Sequence, residues 1–236
     1  MPISNGKRAG RSIFAGHSLF GGLSEQGLDR LLAHTHVQKH AKGTTIFAKG
    51  DAGTSMMAVL SGSIKISSVT AEGKEVVLNL IGVGQVFGEI ALLDGRPRTA
   101  DATALSDCEV VVFERRDFLP LLRDDPDLAL RIVVMLCARL RRTNEQVESV
   151  MFMPLEARLA KTLLRLSAEQ GENSGGPASV IVVTQRDLGQ MIGMSRESTN
   201  KQLQAWQRDG LVGLSKGGIE LLDPQALSEL ADGEDR

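Results

Sequence analysis

Gly88, Glu89, Arg98 and Thr99 lie within twelve positions of one another and carry the donors and acceptors that a nucleotide requires. Arg98 brings a forked, permanently charged guanidinium whose geometry suits phosphate, and Thr99 adds a hydroxyl. Between them, Ile90 to Leu93 is a short apolar run predicted to form one turn of helix. Its start, at Ile90 and Ala91, offers unpaired backbone N–H groups at the positive end. Asp94-Gly95 then breaks the run. Glu89 would repel a phosphate, so it makes sense there only if it accepts a hydrogen bond from a neutral group such as a sugar hydroxyl. Phosphate plus sugar hydroxyl describes a nucleotide. Taken singly, an Arg-Thr pair after a turn is ordinary surface and Gly-Glu an ordinary turn. The combination from Phe87 to Ala100 is what departs from that reading.

A second constellation lies near the C-terminus. Thr184-Gln185-Arg186-Asp187 reads as a capping box that opens a short helix with Leu188 and Ile192 on its inner face. Gly193 permits a tight turn, and Ser195 can cap a second helix running to about Asp209 before Gly210. Two helices joined by a short glycine-containing turn are a helix-turn-helix. In the second helix Leu203 and Trp206 face inward, while Arg196, Glu197, Asn200, Lys201 and Gln204 point outward near its start, where recognition helices meet base edges. Arginine reads guanine and glutamate can accept from the amino group of cytosine. Leu211 to Leu214 and Ile219 to Leu222, joined by Ser215-Lys216-Gly217-Gly218, read as a hairpin wing. A solvated polar helix face has the same composition, so this pattern alone leaves DNA binding and simple exposure both open.

The elements that must hold these groups follow from the bulk of the chain. With 236 residues, 42% hydrophobic and 24% charged, the chain has room for two modest folded domains or one large one. A net charge of −2 is not that of a nonspecific nucleic-acid binder, so DNA contact must come from local placement of charge. No apolar run approaches the roughly 18 residues of a membrane span, and the basic start (Lys7, Arg8, Arg11) is not followed by a signal-peptide core. A cytoplasmic protein with no membrane partner is expected. Cys108 and Cys137 form no metal-type spacing, an iron–sulfur centre would need about four thiolates, and both are read as buried structural thiols, with a thiol sensor as the lesser alternative. His34, His36 and His40 suggest a metal, with His36 and His40 on one strand face. They lack a Cys or carboxylate partner in the segment, and surface histidines are the expectation.

In chain order, residues 1–18 read as a loose tail, and Ser24 can cap a helix carrying Leu28, Leu31 and Leu32. From about Val37 to Glu114, short β-branched runs separated by glycines predict a jelly-roll of roughly eight strands. Asp125-Pro126-Asp127 announces a long helix to about Phe152. Its heptad register puts Leu130, Cys137, Asn144 and Met151 at a and Val133, Leu140 and Val147 at d, a narrow seam suited to a parallel homodimer. Met153-Pro154 ends it. A helix from about Leu155 to Ala168, a loop from Gln170 to Ser179 and a strand over Val180 to Val183 lead into the helix-turn-helix.

At these residues the chain resembles a known family. Gly88 to Ala100 matches the G-E-x-A-L-x-x-G-x-x-R-[ST/A]-A phosphate-binding cassette of cyclic-nucleotide-binding domains. Gly193-Met194-Ser195-Arg196-Glu197 with Lys201 resembles the G-x-S-R-E-x-x-x-R of Crp/Fnr transcription regulators, with Lys201 in place of the usual arginine and its bidentate fork. The resemblance spans about residues 19 to 223 and is to the cyclic AMP receptor branch.

It implies an α+β chain with an N-terminal cyclic-nucleotide-binding β-roll (19–124), a dimerisation helix (125–152), a C-terminal winged helix-turn-helix (153–223) and a tail (224–236). It implies a homodimeric, non-enzymatic regulator of transcription, without prosthetic group or metal, that binds cyclic AMP or cyclic GMP as allosteric ligand. The partners implied are a pseudo-palindromic double-stranded DNA operator and RNA polymerase. The ligand residues implied are Gly88, Glu89, Ile90, Ala91, Arg98 and Thr99, with Thr143 and Asn144 at the base, although relatives carry serine where Asn144 stands. Asn144 equally suits a register-setting a position. The DNA residues implied are Thr184, Gln185, Ser195, Arg196, Glu197, Asn200 and Lys201. A regulator of the same fold answering another effector, or active without one, is the alternative. An enzyme's regulatory module fails for want of a P-loop, kinase signature or nucleophile–base motif.

Overall fold

The computed structural model describes residues 19–20, 25–171, 180–215 and 218–233. The tail 1–18, the Ser24 cap, most of the Gln170 to Ser179 loop and the Lys216-Gly217 turn lie outside these. The chain divides into two compact units, the first ending at Leu140 and the second running from Arg141, with Val69–Val77 grouped with the second.

The first unit begins with helix α1 (Glu25–Ala33), whose Leu28, Leu31 and Leu32 are buried as their helical spacing requires. Strands β1 (His36–His40), β2 (Thr45–Phe47), β3 (Ser55–Ser61), β4 (Ile64–Val69), β5 (Glu75–Ile81), β6 (Val86–Phe87), β7 (Asp101–Ala104) and β8 (Cys108–Glu114) follow, with the short helix α2 (Glu89–Asp94) between β6 and β7. They form two antiparallel sheets of order β1-β8-β3-β6 and β2-β7-β4-β5.

The period-2 alternation of strands explains the core. Strand β3 is apolar at every position from Met56 to Leu60 because both of its faces are covered. Met57 and Val59 pack with Val110 and Val112 of β8, Ile64 of β4 and Ala102 and Ala104 of β7. Met56, Ala58 and Leu60 pack with Val111 and Phe113 against helical residues Leu28, Leu31, Leu32, Phe118, Leu128 and Ile132. Phe113 stacks on Phe20 and meets Phe118 edge-on.

Helix α3 (Arg115–Asp124) was not anticipated. Pro120 lies inside it, and Phe118 is its buried anchor. Helix α4 then runs unbroken from Pro126 to Phe152, with Asp125 Oδ1 accepting the Leu128 N–H at its start. Only Leu128 and Ile132 of α4 are buried. Leu130, Val133, Leu140, Val147 and Met151 are each more than half exposed, so the heptad seam lies uncovered in a single chain. Cys108 is buried as expected, but Cys137 is exposed, because its a position lies on that seam.

In the second unit, α5 (Leu155–Gly171) buries Leu159, Leu163 and Leu166. Helices α6 (Gln185–Ile192) and α7 (Arg196–Arg208) come next, then strands β9 (Val212–Ser215) and β10 (Gly218–Leu221), paired antiparallel. The strand expected over Val180 to Val183 reduces to one bridge, Ile181 with Ile219. Gly218 permits it, since a Cβ there would lie 2.2 Å from the Ile181 carbonyl oxygen. The segment 224–236, expected as a tail, instead carries helix α8 (Pro224–Asp232), which buries Ala226 and Leu227. Asp223 caps α8 and Pro224 opens it, the same signal that starts α4.

Candidate functional site

The cassette is built around a buried charge. Arg98 is 5% exposed. Its guanidinium lies 4.2 Å above the Phe47 ring on β2, donates from Nη1 to the Gly88 carbonyl at 2.8 Å and from Nη2 to Ser55 Oγ at 3.0 Å. Buried Nε has no partner. Burial pulls Arg98 down from its ordinary pKa, and the more distant carboxylates of Glu89, Asp51 and Glu114 offset this only in part. A guanidinium among neutral acceptors, with its Nε–H unused, is a cation awaiting an anion, since buried charges persist only when paired.

The surrounding backbone fixes the position of this charge. Gly88 has φ 76°, and a Cβ there would stand 2.6 Å from Arg98 Nη1. Helix α2 starts immediately after it and closes at Gly95, also left-handed. Arg115 Nε donates to the Leu92 carbonyl at 2.7 Å and so caps the open end of the helix. The 48–54 loop lies against the cassette: Arg98 N–H donates to Asp51 O at 2.8 Å, Gly50 N–H donates to Arg98 O at 2.9 Å, and Gly53 leaves no room for a Cβ against Ala91. Ala91 is buried, whereas Ile90 and Thr99 are exposed. The structure thus brings Gly88, Glu89, Ile90, Ala91, Arg98 and Thr99 together.

Glu89 departs from the sequence-based argument. It is 2% exposed and ion-paired with Arg139 of α4, so its partner is a cation and the need for a purely neutral one falls away. Arg139 also donates to the Val86 carbonyl. A carboxylate has further lone pairs, which leaves Glu89 able to accept a hydroxyl as well. Phe47, Ser55 and Arg139 escaped sequence reasoning because they arrive from β2, β3 and α4. Thr143 and Asn144 are exposed on α4, one turn beyond Arg139.

Histidines 34 and 36 are exposed, and His36 hydrogen-bonds Gln38. No group of side chains able to hold a metal occurs among the described residues.

In the second unit, Thr184 caps α6 by accepting the Asp187 N–H at 3.0 Å. Ser195 caps α7 by accepting the Ser198 N–H at 3.0 Å. Gly193, at φ 77°, makes the turn between the two helices. Gly189 lets them approach: a Cβ there would lie 2.8 Å from both Met194 O and Thr199 Oγ1. With Thr199, Leu203 and Trp206 buried, α7 presents Arg196, Glu197, Lys201 and Gln204 to solvent and Asn200 in part; Thr184 is exposed and Gln185 half-buried. The Glu197 carboxyl is held below its ordinary pKa by its own backbone N–H and by Ser195.

Comparison with known proteins matches a domain in each unit. Residues 37–125 match the family model described as a cyclic nucleotide-binding domain, and residues 157–230 match the Crp-like helix-turn-helix domain. The chain is 30% identical over 220 residues to the CRP-like cAMP-activated global transcriptional regulator of Mycobacterium tuberculosis, covering 93% of this chain and 98% of that one. It is 31% identical over 218 residues to the cyclic AMP receptor protein of Thermus thermophilus, covering 92% and 98%. Among solved structures, the cyclic di-GMP responsive global regulator CLP of Xanthomonas campestris superposes with a TM-score of 0.70 at 26% identity, covering 85% of this chain and all of that one.

Proposed function

The chain belongs to the Crp/Fnr family of cyclic-nucleotide-binding transcription regulators, and from that premise we propose that it is a homodimer switched by cyclic AMP, which enables it to grip a pseudo-palindromic operator. The family consists of DNA-binding regulators and not of enzymes. The observation that carries the ligand reading is Arg98, a buried guanidinium with no carboxylate on it and Nε without a partner.

In this reading Arg98 and Thr99 hold the cyclic phosphate together with cassette N–H groups from Gly88 to Ala91, and Glu89 accepts the ribose hydroxyl. Thr143, one turn from Arg139 on the same helix face, meets the base, with Asn144 beside it. Relatives named for cyclic AMP favour adenine over guanine. The exposed α4 seam supports pairing with a second copy, which places two α7 helices on half-sites about one helical turn apart. There Arg196, Glu197, Asn200 and Lys201 read base edges, while Thr184, Gln185 and Ser195 touch the backbone. Since α4 carries both the base-facing residues and the dimer seam, ligand occupancy biases how two chains pair. Residues 170–179 are where RNA polymerase would be met.

A second reading, a different effector in the same fold, is favoured by the Xanthomonas regulator, whose description names cyclic di-GMP. Selection of bound duplexes from a random pool separates the two. Cyclic AMP should enrich one two-fold symmetric sequence that the free protein does not retain. Enrichment with cyclic di-GMP, or with no addition, would transfer the function to the second reading.

A further inference from the structure

A shallow cleft of about 60 Å³ opens to solvent in the second unit between the C-terminal half of α4, α5 and the end of α6. Its walls carry Arg142 from α4 and Arg158, Lys161 and Arg165 from α5. The acids facing them are Glu145, on the α4 wall, and Glu169, which pairs with Arg142 and Arg165. Among the described residues that these contacts name, four cations stand against two carboxylates, on a chain whose net charge is −2.

Arg158 accounts for part of that excess. Its Nε donates to the Met153 carbonyl at 3.2 Å and its Nη1 to the Ile192 carbonyl at 3.0 Å. Its acceptors are therefore neutral and its charge is not cancelled by them. Lys161 is exposed at the cleft. Val150, Met191 and Ile192 add an apolar wall. We propose that this cleft is a second ligand site, taking a small phosphate-bearing molecule with at least two negative charges, its anionic groups between Arg142, Arg158 and Lys161 and its apolar part against Met191 and Ile192.

The register of α4 keeps the cleft open in a dimer. With Asn144 at a, Arg142 and Ser149 are f positions and Glu145 and Gln146 are b and c. These polar lining residues therefore lie on the face opposite the a/d seam, where a partner helix does not reach, while Val150, at g, borders the seam. This accessibility rests on the dimeric reading; the charge and shape of the cleft do not. An anion spanning Arg142 and Lys161 would tie α4 to α5 across the break at Met153-Pro154 and so set the angle at which α6 and α7 are carried. The site would thus act on DNA affinity separately from the cassette.

Isothermal titration of the full-length protein at low ionic strength with inorganic pyrophosphate tests the site. Saturable binding is expected to persist in Arg98→Gln, where the cassette has lost its own phosphate anchor and only the cleft remains. It should weaken about tenfold or more in Lys161→Glu, an exposed change, and in Arg158→Gln. Thermal melting checks that each variant is folded. Pyrophosphate binding lost in Arg98→Gln but kept in Lys161→Glu would place the anion in the cassette and overturn the proposal. So would the absence of saturable binding to the wild type. Failure of cyclic AMP to bind would leave these outcomes unchanged, which keeps the two claims distinguishable.

Discussion

Arg139 on α4 forms an ion pair with Glu89, the first residue of the short cassette helix. The pair ties the long helix to the cassette within the first unit, and it leaves Glu89 buried with its charge balanced. A ligand that donates a hydrogen bond to Glu89 therefore acts on α4 directly.

The Glu89–Arg139 pair should behave as a coupled unit. In a double-mutant cycle with Glu89→Gln and Arg139→Gln, each single change should cost about 1–3 kcal/mol, and the double change less than their sum. The Arg139 side chain is 31% exposed, so water screens it and the lower end of that range is expected. Urea midpoints of the four proteins measure this. Strict additivity would show that the pair carries no coupling.

Gly88→Ala should damage the site more than the fold. The left-handed φ costs a Cβ residue about 1–3 kcal/mol, and the added methyl would stand 2.6 Å from Arg98 Nη1. Gly43→Ala is the control, with φ 84° and nothing within 4 Å of its Cβ. Both variants should melt earlier, but only Gly88→Ala should lose nucleotide affinity. Equal affinity in the two would remove the role given to Gly88.

These first residues were readable because Gly88 to Thr99 form one continuous run, and a local run shows its chemistry in one dimension. Phe47, Ser55 and Arg139 complete the same site from three other elements, and no spacing rule links them to Arg98. Helix α3 was hidden by Pro120, which argues against a helix from propensity alone but is tolerated here in the first two turns. Helix α8 was legible and overlooked, since Asp223-Pro224 repeats the signal of Asp125-Pro126. The β-branched run at Val180 to Val183 looked like a strand, yet the segment pairs only at Ile181. The exposed seam of α4 was foreseen as a pattern, and with it the exposure of Cys137 should have been.

The seam predicts oligomeric state. Leu140→Glu places a charge at a d position that is 62% exposed in the single chain, and it should convert a dimer to a monomer in sedimentation velocity. Cys137 should then react with maleimide faster than in the wild type. Cys108 should react in neither, because burial raises its thiol pKa and covers it. A wild type that already sediments as a monomer would contradict dimerisation through α4.

On α7, Arg196→Ala should reduce specific DNA affinity by about 1–3 kcal/mol with nucleotide affinity unchanged. Lys201→Arg should restore a two-pronged donor and sharpen preference at one base position. Both are read by anisotropy against the selected duplex and its single-base variants. Unchanged preference in Arg196→Ala would leave α7 as a solvated face.

The central claim is that Arg98 is the anchor of a cyclic-nucleotide site. Calorimetric titration with cyclic AMP, and in parallel with cyclic GMP, of the wild type and of Arg98→Gln tests it most directly. The wild type should bind cyclic AMP saturably and more tightly than cyclic GMP, and folded Arg98→Gln should lose at least about a hundredfold in affinity. Equal cyclic AMP affinity in the two proteins, or silence from the wild type, would contradict it.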